Sequence, residues 1–257
     1  MMKTGFRTAG FAEWELGPTL QQIKLIGYDS VEFCLEHPRG RPEMMDEVRI
    51  RRVLKMLDEL ELELSSVSYH GDMSPIEERE PRTLLALDIA HKMGAKVLVM
   101  NSEARDLANP DQLKVVEQRL RNLCKRAEKL KIDLAVEPEP RLAIESSHDL
   151  EQMAARVCSS CLKMNIDIGH AHITDPDVVQ TVRRLGPMIV HTHVEDIAGK
   201  VHKHLLPGHG DIDLPAIFKA LEETGYSGYL TIDLFDLGSN PDEAARAALA
   251  ALNAVNM

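Results

Sequence analysis

Histidines and carboxylates recur in this chain at the ends of short apolar runs. His70 closes "ELSSVSYH", Glu137 and Glu139 lie in "DLAVEPE", and Asp167 and His170 in "LKMNIDIGH". His191, His193, Glu195 and Asp196 crowd "MIVHTHVED", and Asp233 sits in "GYLTIDLF". Within "YLTIDLFDLG" the period of two puts Thr231 and Asp233 on one face of a strand. A carboxylate buried there without a partner loses several kcal/mol or its charge, so Asp233 requires a cation. Carboxylates and imidazoles converging from several strands make the expected cation a divalent metal, with Asp233 among its ligands. Parity admits Glu137 beside Ala135 on one strand and His191, His193 and Glu195 together on another, but not Asp196.

These residues need a scaffold that gathers strand ends. Eight strand-like runs can be read: "KTGFRT", "SVEFCL", "ELSSVSYH", "KVLVMNS", "DLAVEPE", "LKMNIDIGH", "MIVHTHVED" and "GYLTIDLF". Between them lie helical stretches with apolar residues three and four apart, among them "PEMMDEVRIRRVLKMLDELE", "EPRTLLALDIAHKMG", "PDQLKVVEQRLRNLCKRAEKLK", "DPDVVQTVRRLG" and "DLPAIFKALEETG". Gly27, Gly94, Gly186 and Gly225 stand where left-handed C-caps are wanted. Strict alternation predicts a parallel sheet. The first turn, "RTAGFAEW", lacks the Gly-rich phosphate loop of a doubly wound sheet. The expected fold is therefore a (β/α)8 TIM barrel, a single domain over residues 1–257, with its chemistry at the C-terminal strand ends.

Composition narrows the function. The 257 residues are 44% hydrophobic and 28% charged, as in an ordinary globular protein, with a formal net charge of −11. That charge argues against a nucleic-acid partner, since phosphate binding needs a basic surface. No apolar leader or membrane-length run is evident, so no membrane partner is expected. Cys34 and Cys124 are isolated, and Cys158 and Cys161 form a C-x-x-C with no second pair to complete a structural zinc site. Reduced thiols and the missing leader imply a cytoplasmic protein. A homo-oligomer is compatible with all of this.

The segments "VEPEP", "NIDIGH", "VHTHVED", "HLLPGHGDIDLPAIFKALEETGY" and "GYLTIDLF" resemble the xylose-isomerase-like barrel superfamily. That superfamily holds sugar-phosphate isomerases and epimerases, inosose dehydratases, ketose 3-epimerases and nucleases of the endonuclease IV type. The resemblance implies a single metal on Glu137, Asp167, His193 and Asp233, with His170 and a basic residue near His204 on substrate oxygens. In "PGHGDIDLP" it implies a loop leading to a helix that Asp213 caps and Pro215 begins. The family usually ends its eighth strand with Glu. Asp233 is shorter by one methylene, about 1.5 Å of reach, which suits a ligand better than a proton carrier.

The expected activity is therefore a divalent-metal-dependent sugar isomerase or epimerase that deprotonates a ketose or keto-polyol through an enediolate. Manganese is the first choice for so hard a donor set, before Mg2+, Co2+ or Zn2+. Glu137 is expected to be the base, with Asp233 as the opposed carboxylate. Substrate contacts are expected from His170, His204, His70, Glu32 and Trp14, the last with Phe11 as an apolar wall. A lyase acting on a keto-inositol uses the same chemistry, and a non-catalytic sugar-binding subunit would bind without turnover. An abasic-site endonuclease would recruit His70, His170, His202 and His204 to further metals, but Asn101 stands where that branch expects a histidine. DNA containing an abasic site should be neither bound tightly nor cut at physiological salt, and metal-dependent incision in a gel assay would reverse that reading.

Overall fold

The computed structural model describes residues 2–71, 74–234 and 240–256. Eight strands run β1 (Lys3–Arg7), β2 (Ser30–Cys34), β3 (Glu63–Ser68), β4 (Val97–Asn101), β5 (Asp133–Glu137), β6 (Leu162–Asp167), β7 (Ile189–Val194) and β8 (Tyr229–Ile232). Neighbours pair in parallel, and β8 pairs with β1 in the register Gly5↔Thr231 to close the barrel. This is the (β/α)8 TIM barrel that the alternation predicts.

Among the described residues the outer layer holds α1 (Leu16–Ile26), α2 (Glu47–Glu59), α3 (Ile76–Met93), α4 (Gln112–Leu130), α5 (Ser147–Val157), α6 (Ile168–Thr174), α7 (Val178–Leu185), α8 (Leu214–Glu223) and α9 (Pro241–Val255). Each long helix buries one stripe. In α4 that stripe is Val116, Leu120, Leu123 and Ala127, three and four apart, and in α1 it includes Leu20 and Ile23. Burying each such aliphatic side chain contributes about 1.5–3 kcal/mol. No helix among the described residues is long and apolar enough to cross a membrane. A small apolar cluster of Val97, Val99 and Ala135 contrasts with the buried polar side chains Glu32, Ser66, Asn165, His191 and His193.

Several boundaries differ from the sequence reading. The run beginning at Pro42 breaks into a short turn (Pro42–Met44) and α2, because Asp46 accepts a hydrogen bond from Arg49 N and caps a new start. Helix α3 begins earlier than expected and contains Pro81; lying near the N-terminal end, the proline removes the bond to a single carbonyl. The run "LKMNIDIGH" is two elements, for β6 stops at Asp167 and His170 belongs to α6. Likewise His70, Glu139, Glu195, Asp196 and Asp233 lie just beyond their strands rather than within them. The eighth run was drawn to Phe235, which lies outside the described residues.

Gly27 and Gly94 cap their helices with positive φ, as expected, but Gly186 does not: its φ is −42°. Glycine is needed there for space, since a Cβ would come within 2.5 Å of Thr224 Cβ. Asp213 and Pro215 behave as the resemblance implies: Asp213 accepts from Ala216 N, and Pro215 stands in the first turn of α8. Asp46→Ala should lower stability by about 1 kcal/mol through loss of the α2 cap, measured as a shift in urea midpoint at constant slope.

Candidate active site

Four elements deliver one cluster. Glu137 ends β5, Asp167 ends β6, His193 lies next to the end of β7, and Asp233 follows β8. One ligand-type atom from each falls within 4.8 Å of the others, and all four residues are at most 3% exposed. Each side chain is oriented by a second group. Asp167 Oδ1 accepts from His170 N at 2.7 Å, capping α6, while its Oδ2 is buried with no hydrogen-bond partner. His193 Nε2 is 3.0 Å from Glu32 Oε2, which leaves Nδ1 buried and likewise without one. That Nδ1 lies 3.0 Å from Glu137 Oε2, 3.6 Å from Asp233 Oδ2 and 4.0 Å from Asp167 Oδ2. Asn165 Nδ2 donates to Glu137 Oε2 at 2.7 Å. A ring nitrogen and a carboxylate oxygen, both orphaned and both turned toward the same carboxylates, are the donors a cation would satisfy.

Asp233 also meets a cation of the chain's own. The cation that the structure places against it is Arg7, at the end of β1. Arg7 Nη1 donates to Asp233 Oδ2 at 2.6 Å, Nε to Glu32 Oε1 at 2.7 Å, and Nη2 to His70 Nδ1 at 3.4 Å. The sequence signal was present, since "KTGFRT" ends a buried strand on a charged residue just as the other strands do. Burial raises a carboxylate's pKa, but Arg7 first and then His193 hold Asp233 below its usual range.

Glu32 is a correction. It is fully buried, and its oxygens are taken by Arg7, by Ser66 Oγ at 2.8 Å, and by His191 and His193. Those contacts make it the support of His193 instead of a group meeting sugar hydroxyls. Despite burial, His193 and then Arg7 keep its pKa well below the ordinary value.

The remaining expected histidines surround the cluster. His70 Nε2 is 3.4 Å from Glu137 Oε2. His170 Nδ1 is 3.3 Å from Glu137 Oε1, and its Nε2 is 2.8 Å from His202 Nε2. His202 Nε2 lies 3.4 Å from His204 Nε2, and His204 Nδ1 is 2.8 Å from the Asp233 carbonyl. Asp167 and Glu137 outweigh burial at His170 and raise its pKa to about 9, whereas burial and then His170 lower His202 to about 4. Burial raises the Glu137 pKa, but the nearby His193, His170 and His70 imidazoles, His193 foremost, hold it well below the usual range, so it is ionised at neutral pH. Trp14, half-buried, packs edge-on to Phe11 with ring centroids 5.2 Å apart, and Phe11 is core.

Glu195 stands behind Asp167. Its Oε1 accepts from Gly169 N at 2.7 Å, an approach only glycine permits, since a Cβ at Gly169 would lie 2.0 Å from that oxygen. Burial and then the Asp167 charge push its pKa well up. Asn101 is engaged by Arg79 Nη2 at 2.8 Å and donates to Glu139 Oε2 at 3.0 Å.

A closed barrel with convergent carboxylates and imidazoles at its C-terminal rim defines a class of protein. The sequence matches the family described as xylose isomerase-like TIM barrel over residues 20–255, and the chain belongs to that family. It is 25% identical over 264 residues to a fructoselysine 3-epimerase of Escherichia coli O157:H7, covering 96% of each chain. It is 20% identical over 247 residues to an inosose dehydratase of Clostridium perfringens, covering 83% of this chain and 80% of that one. A crystal structure of an IolI protein with a bound zinc atom superposes with a TM-score of 0.82 at 17% identity, covering 99% of this chain and 98% of that one. The chain is an enzyme of this family.

Arg7→Met should lower stability by about 3–5 kcal/mol, because it leaves Asp233 buried without its cation and strips Glu32 Oε1 of its donor. Arg7→Lys should recover part of that loss, and urea unfolding of both variants measures it.

Proposed function

We propose that the protein is a divalent-metal-dependent ketose epimerase or isomerase that works by proton abstraction next to a carbonyl. The observation that carries this reading is the Glu137, Asp167, His193 and Asp233 cluster, with Asp167 Oδ2 and His193 Nδ1 buried and unpartnered. These four residues would hold the metal. Bound there, a hard cation such as Mn2+ supplies electrostatic stabilisation of the oxyanion that develops when a neighbouring C–H is deprotonated. The first curated relative named above is a sugar 3-epimerase, which favours a ketose as substrate.

The chain's own groups divide the remaining work. Glu137 is the base: it is ionised, and Asn165 Nδ2 donates to one of its oxygens. Its other oxygen lies 3.3 Å from His170 Nδ1, which can steady the carboxyl group after it takes the proton. His170, His70 and His204 stand around the cluster as donors to sugar oxygens. Asp233, pinned by Arg7 and short by one methylene, serves first as a ligand and second as the opposed carboxylate. Return of the proton to the neighbouring carbon gives isomerisation, and protonation of the same carbon from the opposite face by a second acid gives epimerisation.

A second reading, dehydration of a keto-polyol, is favoured by the similarity to inosose dehydratase. It begins with the same deprotonation and ends with loss of hydroxide from the next carbon. Product analysis separates the two, because only dehydration removes water from the product mass.

Purified protein loaded with Mn2+ should exchange deuterium from solvent into a carbon-bound position of at least one ketose or keto-inositol in a panel. Glu137→Gln should lower that exchange by ~10²–10⁴-fold. Undiminished exchange in Glu137→Gln would show that the base lies elsewhere. Asp167→Ala should abolish stoichiometric metal binding in elemental analysis of metal-reconstituted protein. Asp233→Glu restores the family's usual length, so it should preserve or raise epimerisation if reach limits the second proton transfer.

A further inference from the structure

Between the end of β7 and the start of α8 the chain forms no helix or strand, only an isolated bridge between Asp196 and Leu205. Yet this segment carries two imidazoles to the barrel rim. His204 has a ring nitrogen within 4.8 Å of carboxylate oxygens of Asp167 and Glu195, and His202 stands edge-on to His170 with ring centroids 4.6 Å apart. A stretch without a ladder of its own holds side chains at a site only if something else fixes its backbone.

That fixture is the side chain of Asp196, which is fully buried. Its Oδ1 accepts from Ile197 N at 2.9 Å and from Ile212 N at 3.2 Å, and its Oδ2 accepts from Gly208 N at 2.9 Å. Its backbone exchanges two further bonds with Leu205, at 2.9 and 2.8 Å, and Asp211 N returns to Ile197 O at 2.8 Å. His202 and His204 fall inside the stretch that these bonds close. Three N–H groups replace the water a buried carboxylate gives up, and bonds to an ionised acceptor are stronger than those between neutral groups. Unlike the donors of a helix cap, these come from separate points along the segment. The close approach needs glycine: a Cβ at Gly210 would lie 2.3 Å from Asp196 Oδ1 and 2.4 Å from Ile197 O.

We propose that Asp196 is the positioning residue of the substrate wall, setting His202 and His204 against the sugar through the backbone of residues 197–212. The proposal rests on the sugar reading of the barrel mouth and deepens it by assigning what fixes the polar contacts there.

Two variants disturb this arrangement from opposite sides. Asp196→Asn removes the charge and one acceptor oxygen, and Gly210→Ala adds the Cβ that Oδ1 excludes. Burial and then His170 hold the His202 pKa at about 4. Followed by NMR in Mg2+-loaded protein, it should rise in both variants toward the ordinary histidine value of about 6.5. Elemental analysis should find the metal retained in both. With a ketose that the parent exchanges in deuterated water, Asp196→Asn should raise KM about tenfold with a smaller change in kcat. Adding His204→Gln to Asp196→Asn should cost less than about twofold more, because two changes that act through one side chain are not additive. A His202 titration that either folded variant leaves unchanged overturns the proposal, as do additive effects of Asp196→Asn and His204→Gln. Loss of the metal or global unfolding in both variants also overturns it, since Asp196 would then support the barrel itself. If no sugar exchanges deuterium, the catalytic reading falls, and the histidine titration still decides whether Asp196 places the segment.

Discussion

The barrel mouth depends on the placement of Arg7 between Glu32 and Asp233. The carboxylates of Glu32, Glu137 and Asp233 are all held below their usual range in one buried site, and two like charges about 4 Å apart repel by roughly 4 kcal/mol at the effective dielectric of a protein. A guanidinium is suited to this position because its planar fork divides its donors between two acceptors and stays charged when buried. With Glu32 neutralised from one side by Arg7, its other oxygen is available to His191 and His193. His193 is thereby held with one nitrogen toward Glu32 and the other toward Glu137, Asp167 and Asp233. The order of dependence runs from β1 to β2 to β7, so the first strand of the chain governs a ligand on the seventh.

Much of this was legible in the sequence because strand ends in a parallel barrel converge by construction. Glu137, Asp167, His193 and Asp233 could be grouped from their positions at the ends of periodic runs. Arg7 obeys the same rule, but a guanidinium is not a metal ligand, so a pattern of ligand types at strand ends does not include it. Glu32 was placed on the right strand, but its role was misjudged. A period of two says that a side chain points inward, not how deep it lies, and depth decided whether it meets solvent or a histidine. His170 was assigned to a strand because "NIDIGH" is apolar enough to continue one. The switch to helix is made by Asp167, whose side chain caps the next turn, and a cap inside an apolar run carries little signal.

The polar barrel interior also bears on how the enzyme could change. Ser66, Asn165, His191 and Glu32 hold the ligands through hydrogen bonds that are shielded from water, so a change in any one leaves a buried partner unsatisfied. Arg41 and Ser74, by contrast, lie on the wall of a cavity away from that network. Side chains can change there while the reacting groups stay fixed, a division of labour expected where loops are carried on a rigid barrel.

Asp167 illustrates how narrow the choice of side chain becomes when one residue serves two elements. Its Oδ1 starts a helix and its Oδ2 faces the cluster. Glutamate would supply the charge but carry its oxygens past the backbone N–H of His170. Asparagine could cap the helix yet would offer no negative charge. Serine or threonine would cap with a single oxygen and leave nothing for the cluster. Aspartate alone among the common caps has both the length and the second anionic oxygen, so the start of α6 and the capture of a cation are bound to the same codon.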